Sequence, residues 1–330
     1  MAALGMFYYA DNNWNSYDLS VWNQIGIFAI FALSYNLING VTGQFSLEPN
    51  GFVAIGAYMT ALFLIPLDTK MDMFALVEPA PIVQQMSTGL IPALLAGGIA
   101  AAFVAFMLSV PVFRVRGDYL AIVTLGFGFI IRIFAMNSPS YTNGAMGLND
   151  IPDYTSAMLI GTILILTFIT MINIINSRFG RAMKAVRDDE DAATAMGVNT
   201  YKIKTQAFMT SGFFEGLGGG LWAIYLSTIS PDQFTFLLTF QLLIIIVLGG
   251  LGSMSGTLLA SILVMWGLDK MHFLDGEMDI LGYHTDAHPG MRMVIFSIML
   301  IVLMLFARRG LFGDKEFPEI WKSLFKRKQS

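Results

Sequence analysis

Between residues 177 and 206 the chain gathers its densest set of ionisable side chains: Arg178, Arg181, Lys184, Arg187, Lys202 and Lys204 flank the acidic run Asp188, Asp189, Glu190 and Asp191. Its paired charges and small residues suit a short helix docked into a partner chain. Within it Asp191-Ala-Ala-Thr-Ala-Met-Gly197 has the spacing acidic, Ala, Ala, three residues, Gly. Ala192, Ala193 and Ala195 allow close approach and favour helix, and Gly197 supplies the turn that follows. The acidic residues from Asp188 to Asp191 sit near the start of that helix, where its dipole favours them. The basic residues before them are free to meet a partner's surface.

A second set of groups lies inside apolar sequence. Glu48 is a carboxylate at membrane depth, which is costly and calls for a polar cavity or a partner. It could meet an ammonium group of a substrate, or cap a broken helix. Gln44, Ser46 and Asn50 share its segment, and Asn36, Asn39 and Thr124 add neutral hydrogen-bonding groups. Such groups suit a zwitterion or a small amide, or they join helix to helix. Glu215 sits in Phe213-Phe-Glu-Gly-Leu-Gly-Gly-Gly220, where glycines permit tight helix contact and the carboxyl needs a donor; Arg132 is one candidate. His272, His284 and His288 fall in one polar loop, which reads better as a docking surface than as a metal site, and no metal is expected. No His or Cys lies in an apolar span, so an intramembrane enzyme is disfavoured. No Gly-Lys pair occurs, so a P-loop is excluded, and no cofactor is expected on this chain.

The elements that must position these groups are membrane spans. Of 330 residues 55% are hydrophobic and 13% charged, and several apolar runs approach the roughly 20 residues that cross a bilayer as helix. The fold class is all-α and polytopic, with nine expected spans (eight to ten) near 21–39, 51–66, 89–112, 119–136, 156–175, 207–227, 236–249, 256–268 and 290–307. Clusters around 114–116, 178–204 and 308–328 hold fifteen of the 19 basic residues. The positive-inside rule places all three in the cytoplasm, with the N-terminus and the loops 67–88, 137–155 and 269–289 outside. Nothing at the N-terminus reads as a removable signal peptide. Two stretches, Gly40 to Gly51 and Gly249 to Gly256, interrupt apolar sequence with Gly, Pro and hydroxyl residues. The glycines Gly40, Gly43, Gly249, Gly250 and Gly252 mark discontinuous helices, both turning toward the cytoplasmic side.

Four blocks in order carry a family resemblance: Gly40-Val-Thr-Gly-Gln-Phe-Ser-Leu47 with Ile55-Gly-Ala-Tyr58; Arg116-Gly-Asp-Tyr-Leu-Ala-Ile-Val-Thr-Leu-Gly126; Gly180 through Gly197; and Val247-Leu-Gly-Gly-Leu-Gly-Ser253. The third resembles the ATPase-coupling "EAA" loop of ABC importer permeases. The set is similar to LivM-type permeases of branched-chain amino acid importers. The resemblance implies a permease domain over 1–310, with a coupling loop at 177–206 and a basic cytoplasmic tail at 311–330, in a bacterial inner membrane. It implies a second, LivH-like permease subunit, two ATPase subunits that hold ATP-Mg, a periplasmic amino-acid-binding protein, and no nucleic acid. Coupling would fall to Arg181, Arg187, Asp189, Glu190, Asp191, Ala192, Ala193 and Gly197. The substrate path would fall to Asn39, Gln44, Ser46, Glu48, Asn50 and Thr124. Glu48-Pro49-Asn50 departs from the Gly-His-Ala type stretch usual in the family, and Glu215 stands where a small residue is usual. Urea or a short amide is an alternative cargo, and an ion-coupled secondary transporter an alternative class.

Overall fold

The computed structural model describes residues 5, 7, 9–11, 14–74, 78–114, 118–271, 278–280, 283–285, 294–295, 297–298, 301 and 310–313. Two helices form its centre. Helix α1, Ser16–Asn36, is buried on every side from Ile25 onward, as its unbroken run of Ile, Phe, Ala and Leu requires. It is followed along the chain by α2, Pro49–Leu64, then two short helices, α3 (Leu67–Met73) and α4 (Pro81–Gln85). The axis of α3 is bent 116° from that of α2, so α3 turns across the end of the bundle.

Outer helices follow. α5, Leu90–Val112, buries Ala93, Gly97, Gly98, Ala101, Ala105 and Ser109 and exposes Ile91, Ile99, Phe103 and Met107. Small residues facing inward and large apolar ones outward are what a lipid-facing helix needs, because close backbone approach replaces the hydrophobic drive inside a bilayer. α6, Asp118–Met136, likewise exposes Ile122, Ile130 and Ile133. A single turn, α7 (Pro139–Thr142), leads to α8, Ala157–Asn176. The charged segment then forms α9, Arg178–Asp188, and α10, Glu190–Ala195. The second central helix is α11, Thr200–Leu226, before α12 (Phe236–Gly249) and α13 (Met254–Lys270). A three-residue pair of antiparallel strands, β1 (Met278–Ile280) and β2 (Tyr283–Thr285), holds His284 in the loop after α13.

The glycines of α11 set how closely the centre packs. A Cβ on Gly216 would stand 2.6 Å from that of Ala101, and one on Gly212 2.9 Å from that of Ala105. The face made by these small residues is therefore the contact that joins α11 to α5.

Each of the eight apolar stretches expected before residue 270 is helical. Five helices are long and apolar enough to cross a membrane, or six if the bent pair α2 and α3 is one span, among the described residues. The ninth expected stretch, 290–307, and the tail from 314 lie largely outside the described residues, as do Arg116, His272 and His288.

Both expected interruptions are real. α1 widens into a π-helical turn, Leu37–Val41, and Gly43 then takes φ +70°, a left-handed conformation natural to glycine. The chain runs without regular structure to Glu48, and Pro49 opens α2 at a position where its missing N–H is harmless. The second interruption separates α12 from α13. There Gly250 and Gly252 have φ +111° and +93°, and the Ser253 hydroxyl caps α13 by accepting from the Gly256 N–H at 3.1 Å.

Candidate functional site

The charged segment is an elbow built from caps. The Ser177 hydroxyl accepts from the N–H groups of Phe179 and Gly180 at 3.1 and 3.3 Å, starting α9. Asp189 stops α9 and starts α10, its Oδ1 accepting from the Ala192 N–H at 2.9 Å. After α10 the Val198 N–H donates to Ala193 O at 3.0 Å and the Gly197 N–H to Thr194 O at 2.9 Å. This is a Schellman closure, and Gly197 provides the left-handed residue it needs with φ +85°. Asn199 then caps α11 by accepting from the Lys202 N–H at 2.9 Å. The expected helix is thus a one-turn knob with a cap at each boundary.

An ion pair between Lys204 and Glu190, 2.7 Å, ties the knob to the first turns of α11. Ala193 is buried beneath the knob, while Ala192, Ala195 and Met196 stand outside it. Met196 is 85% exposed, and sequence reading passed over it among many methionines. Arg181 stays local, donating to Asn176 O at 3.2 Å.

Arg187 connects the elbow to both helix breaks. Its Nη1 donates to Gly40 O at 3.3 Å, a Cβ on Gly43 would collide with its side chain, and a Cβ on Gly252 would lie 3.3 Å from Nη1. The breaks are also bound to each other. Asn36, fully buried in the last turn of α1, donates from Nδ2 to Thr257 Oγ1 at 2.7 Å and Ser253 O at 3.2 Å, and accepts from the Gly252 N–H at 2.9 Å. Gly40 belongs here for space, since any side chain would strike Asn36 and the backbone of Gly252. Gly249 abuts the backbone of Gly256 in the same way.

Most of the expected path residues meet around the irregular stretch before α2. Asn39 and Ser46 exchange two hydrogen bonds, Asn39 Nδ2 to Ser46 O at 3.3 Å and Ser46 N–H to Asn39 Oδ1 at 3.0 Å. The Tyr35 hydroxyl donates to the same Ser46 carbonyl at 2.7 Å. The Leu47 N–H donates to Thr124 Oγ1 at 2.8 Å, and the Asn50 N–H to Thr239 Oγ1 at 3.3 Å. Gln44 stands apart, half-buried, with Nε2 3.5 Å from Thr42 O. Glu48 is fully buried and accepts from the Ser46 hydroxyl. Glu215, also fully buried, has the Ser211 hydroxyl 3.0 Å away.

One expected candidate is corrected. Arg132 does not serve Glu215; its Nη2 pairs with Asp232 at 2.6 Å, because α6 ends beside the short 3₁₀ turn Pro231–Gln233. The two residues are exposed enough for that pair to form at the end of the bundle, where hydration is available. No group of three or more His, Cys, Asp or Glu residues could hold a metal among the described residues.

At the end of the bundle opposite the elbow, a polar cavity of about 360 Å³ is lined by Thr69, Asp72, Met73, Asn143, Asn149 and Asp150. Beside it the Ile229 N–H donates to Leu148 O at 2.8 Å and receives the reciprocal bond at 2.9 Å, fastening the loop after α11 to the loop before α8.

Apolar helices with lipid-suited outer faces around a buried polar centre define a multi-pass membrane protein. The chain belongs to the family described as branched-chain amino acid transport system / permease component, whose model matches residues 19–307. It is 32% identical over 291 residues to the high-affinity branched-chain amino acid transport system permease protein LivM of Escherichia coli, covering 78% of this chain and 64% of that protein. It is 30% identical over 209 residues to the guanosine ABC transporter permease protein NupQ of Bacillus subtilis, covering 58% and 61% respectively. To the permease protein LivH of Salmonella typhimurium it is 22% identical over 318 residues, 89% of this chain and 93% of that one. The chain thus spans just under two thirds of the length of the LivM proteins of Escherichia coli and Salmonella typhimurium. No solved structure matches. A transport permease is not a class of enzyme.

Proposed function

We propose that this chain is a transmembrane permease subunit of an ATP-driven importer of branched-chain or related small amino acids. Two ATPase subunits would bind ATP-Mg, a second, LivH-like permease would complete the pathway, and a periplasmic protein would deliver the cargo. The N-terminus is read as periplasmic and the C-terminus as cytoplasmic, with nine spans in all, an arrangement that puts the elbow on the ATPase side. The observation that carries this reading is Arg187, which joins the elbow to both broken spans. Closure of the ATPases would carry the knob as a rigid piece, and Arg187 would pass that movement to the two interruptions, which alter access to the pathway. The names of the LivM and LivH relatives support an amino acid as cargo. The guanosine permease among the relatives keeps another small solute, urea or a short amide included, as the second reading.

The test is ATP-driven uptake in proteoliposomes holding the complete assembly. Gly197→Pro removes both the left-handed turn and the N–H given to Thr194 O, and Ala193→Arg forces a charge under the knob; both are expected to abolish uptake with the chain still in the membrane. Met196→Glu alters only an exposed tip, and is expected to uncouple ATP hydrolysis from uptake. Normal uptake in all three variants would refute the coupling role, and full accumulation without ATPases would point to a secondary transporter.

A further inference from the structure

A second cavity, about 390 Å³, lies between α1, α8 and α13 and the residues that precede α1. Ile25 and Ala29 of α1, Gly161 and Leu164 of α8 and Ile262 of α13 form its walls, and Phe7 and Ala10 close it from the N-terminal side. Its α8 wall runs from Ala157 to Phe168, the half of that helix farther from the elbow. Apart from Asn23 the whole lining is aliphatic, aromatic or glycine. A cavity of this kind stays dry and accepts apolar matter.

The closing segment is fastened in place. Asp11 accepts from the N–H groups of Ala157 and Met158 at 2.7 and 3.0 Å, which anchors the residues before α1 on the first turn of α8. The Phe7 ring fills the notch at Gly161, where a Cβ would collide with it. Trp14 and Trp22, 37% and 40% exposed, are the most exposed of the lining residues and mark the mouth, with ring centroids 5.6 Å apart. Tryptophan favours the level of the lipid headgroups. Around the cavity Met158 and Leu166 of α8 and Leu259 and Leu263 of α13 are exposed, an outer face suited to acyl chains.

Asn23 adjoins Trp22 and is 3% exposed, and its Oδ1 has no hydrogen-bond partner. A buried acceptor left in that state is costly and calls for a donor from whatever fills the cavity. The charges at this end are mainly acidic. Asp11 caps α8, Asp18 lies one helical turn before Trp22, and Asp269 accepts from the Tyr17 hydroxyl at 2.8 Å, against Lys270 alone among the basic residues of these elements at this end. Such a rim repels an anionic headgroup and favours one that carries an ammonium.

We propose that this cavity is a site for one phospholipid of the bilayer, with an acyl chain between α1 and α8 and an amine headgroup at the tryptophan mouth donating an N–H to Asn23 Oδ1. The bound lipid joins central helix α1 to α8, which continues through Ser177 into the elbow. Occupancy therefore favours the arrangement in which these helices are together.

The test is native mass spectrometry of the full chain, purified with its accompanying subunits, stripped of loosely held lipid and offered phosphatidylethanolamine, phosphatidylcholine or phosphatidylglycerol. The wild type is expected to keep one lipid that Leu164→Trp, which fills the cavity, does not keep. Phosphatidylethanolamine is expected to be held about tenfold more tightly than phosphatidylcholine, whose headgroup has no N–H or O–H, the effect of one hydrogen bond from a charged donor. Asn23→Leu is expected to erase that preference while still retaining a lipid, and Asp11→Ala to weaken retention of all three. A phosphatidylethanolamine carrying a photoreactive acyl chain is expected to cross-link within 157–168. If Leu164→Trp fails to fold, the cross-link position and Asn23→Leu still decide the matter. Cross-links confined to other faces, or equal retention by wild type, Leu164→Trp and Asn23→Leu, would overturn the site. So would a photoreactive group at Leu164 that labels only the second permease, since a protein helix would then be the occupant. Because lipid retention is read without ATP or transport, it stands or falls separately from the importer reading.

Discussion

Arg187 Nη1 and the carbonyl oxygen of Gly40 lie 3.3 Å apart, a bond between the last turn of α9 in the elbow and the π-helical break of α1. A hydrogen bond from a charged donor is worth about 1.5–3 kcal/mol, enough to bias which arrangement of the break follows the elbow. Arg187→Ala is expected to reduce ATP-driven uptake by about tenfold or more on that scale, with ATP hydrolysis retained. Parallel measurement of uptake and hydrolysis checks it; unchanged uptake would break the link.

Asn36 stabilises the meeting of the two breaks as a buried amide with both ends occupied. Removing it leaves the Gly252 N–H without its acceptor, a loss of about 1–3 kcal/mol for each buried group orphaned. Asn36→Leu is expected to lower the thermal midpoint of the purified protein markedly. Asn36→Asp keeps the acceptor but loses the donor to Thr257, and should also destabilise.

Gly216→Val is expected to be poorly tolerated, since even a Cβ there would press on Ala101. Overpacking of this kind typically costs about 1–3 kcal/mol. Gly126→Ala, where nothing lies within 4 Å, should be nearly neutral. Comparing the folded yield of the two in detergent separates glycine used for close approach from glycine merely present.

Lys70 gives the protein a pH dependence above neutrality. Its ammonium, 1% exposed in the turn across the bundle end, donates to the carbonyls of Met86 and, at 3.4 Å, Val83. Burial nonetheless lowers its pKa from 10.5 to about 8. Below that value the lysine is charged both folded and unfolded, and its burial weighs fully against the fold. Between about 8 and 10.5 the unfolded chain binds more protons, so stability rises with pH across that window. Lys70→Met should remove this rise, as read by denaturation between pH 7 and 10.

The sequence made the helices and their breaks legible because both follow from local chemistry. Apolar runs marked the spans, and Gly43, Pro49 and Gly250 marked the interruptions by backbone conformations that few other residues adopt. The knob was legible too, since Asp189, Ala193 and Gly197 are cap, buried face and turn of a single motif. What linked these parts was not. Arg187 reads as one more surface charge until the fold brings Gly40 to it, and Asn36 reads as generic helix contact until Gly252 arrives from more than 200 residues away. Arg132, one candidate donor for Glu215, pairs instead with Asp232 for the same reason: composition shows which charges need partners, while only topology decides which ones meet.

The pair of Lys204 with Glu190 has a consequence at the far end of the molecule. It welds the knob to a rod of 27 residues, about 40 Å of continuous helix. That rod leads through Ser227 to Ile229, which is stitched to Leu148 beside the acidic hollow of Asp72 and Asp150. A tilt imposed at the knob is therefore carried along one continuous helix to the loop at the opposite end of the bundle.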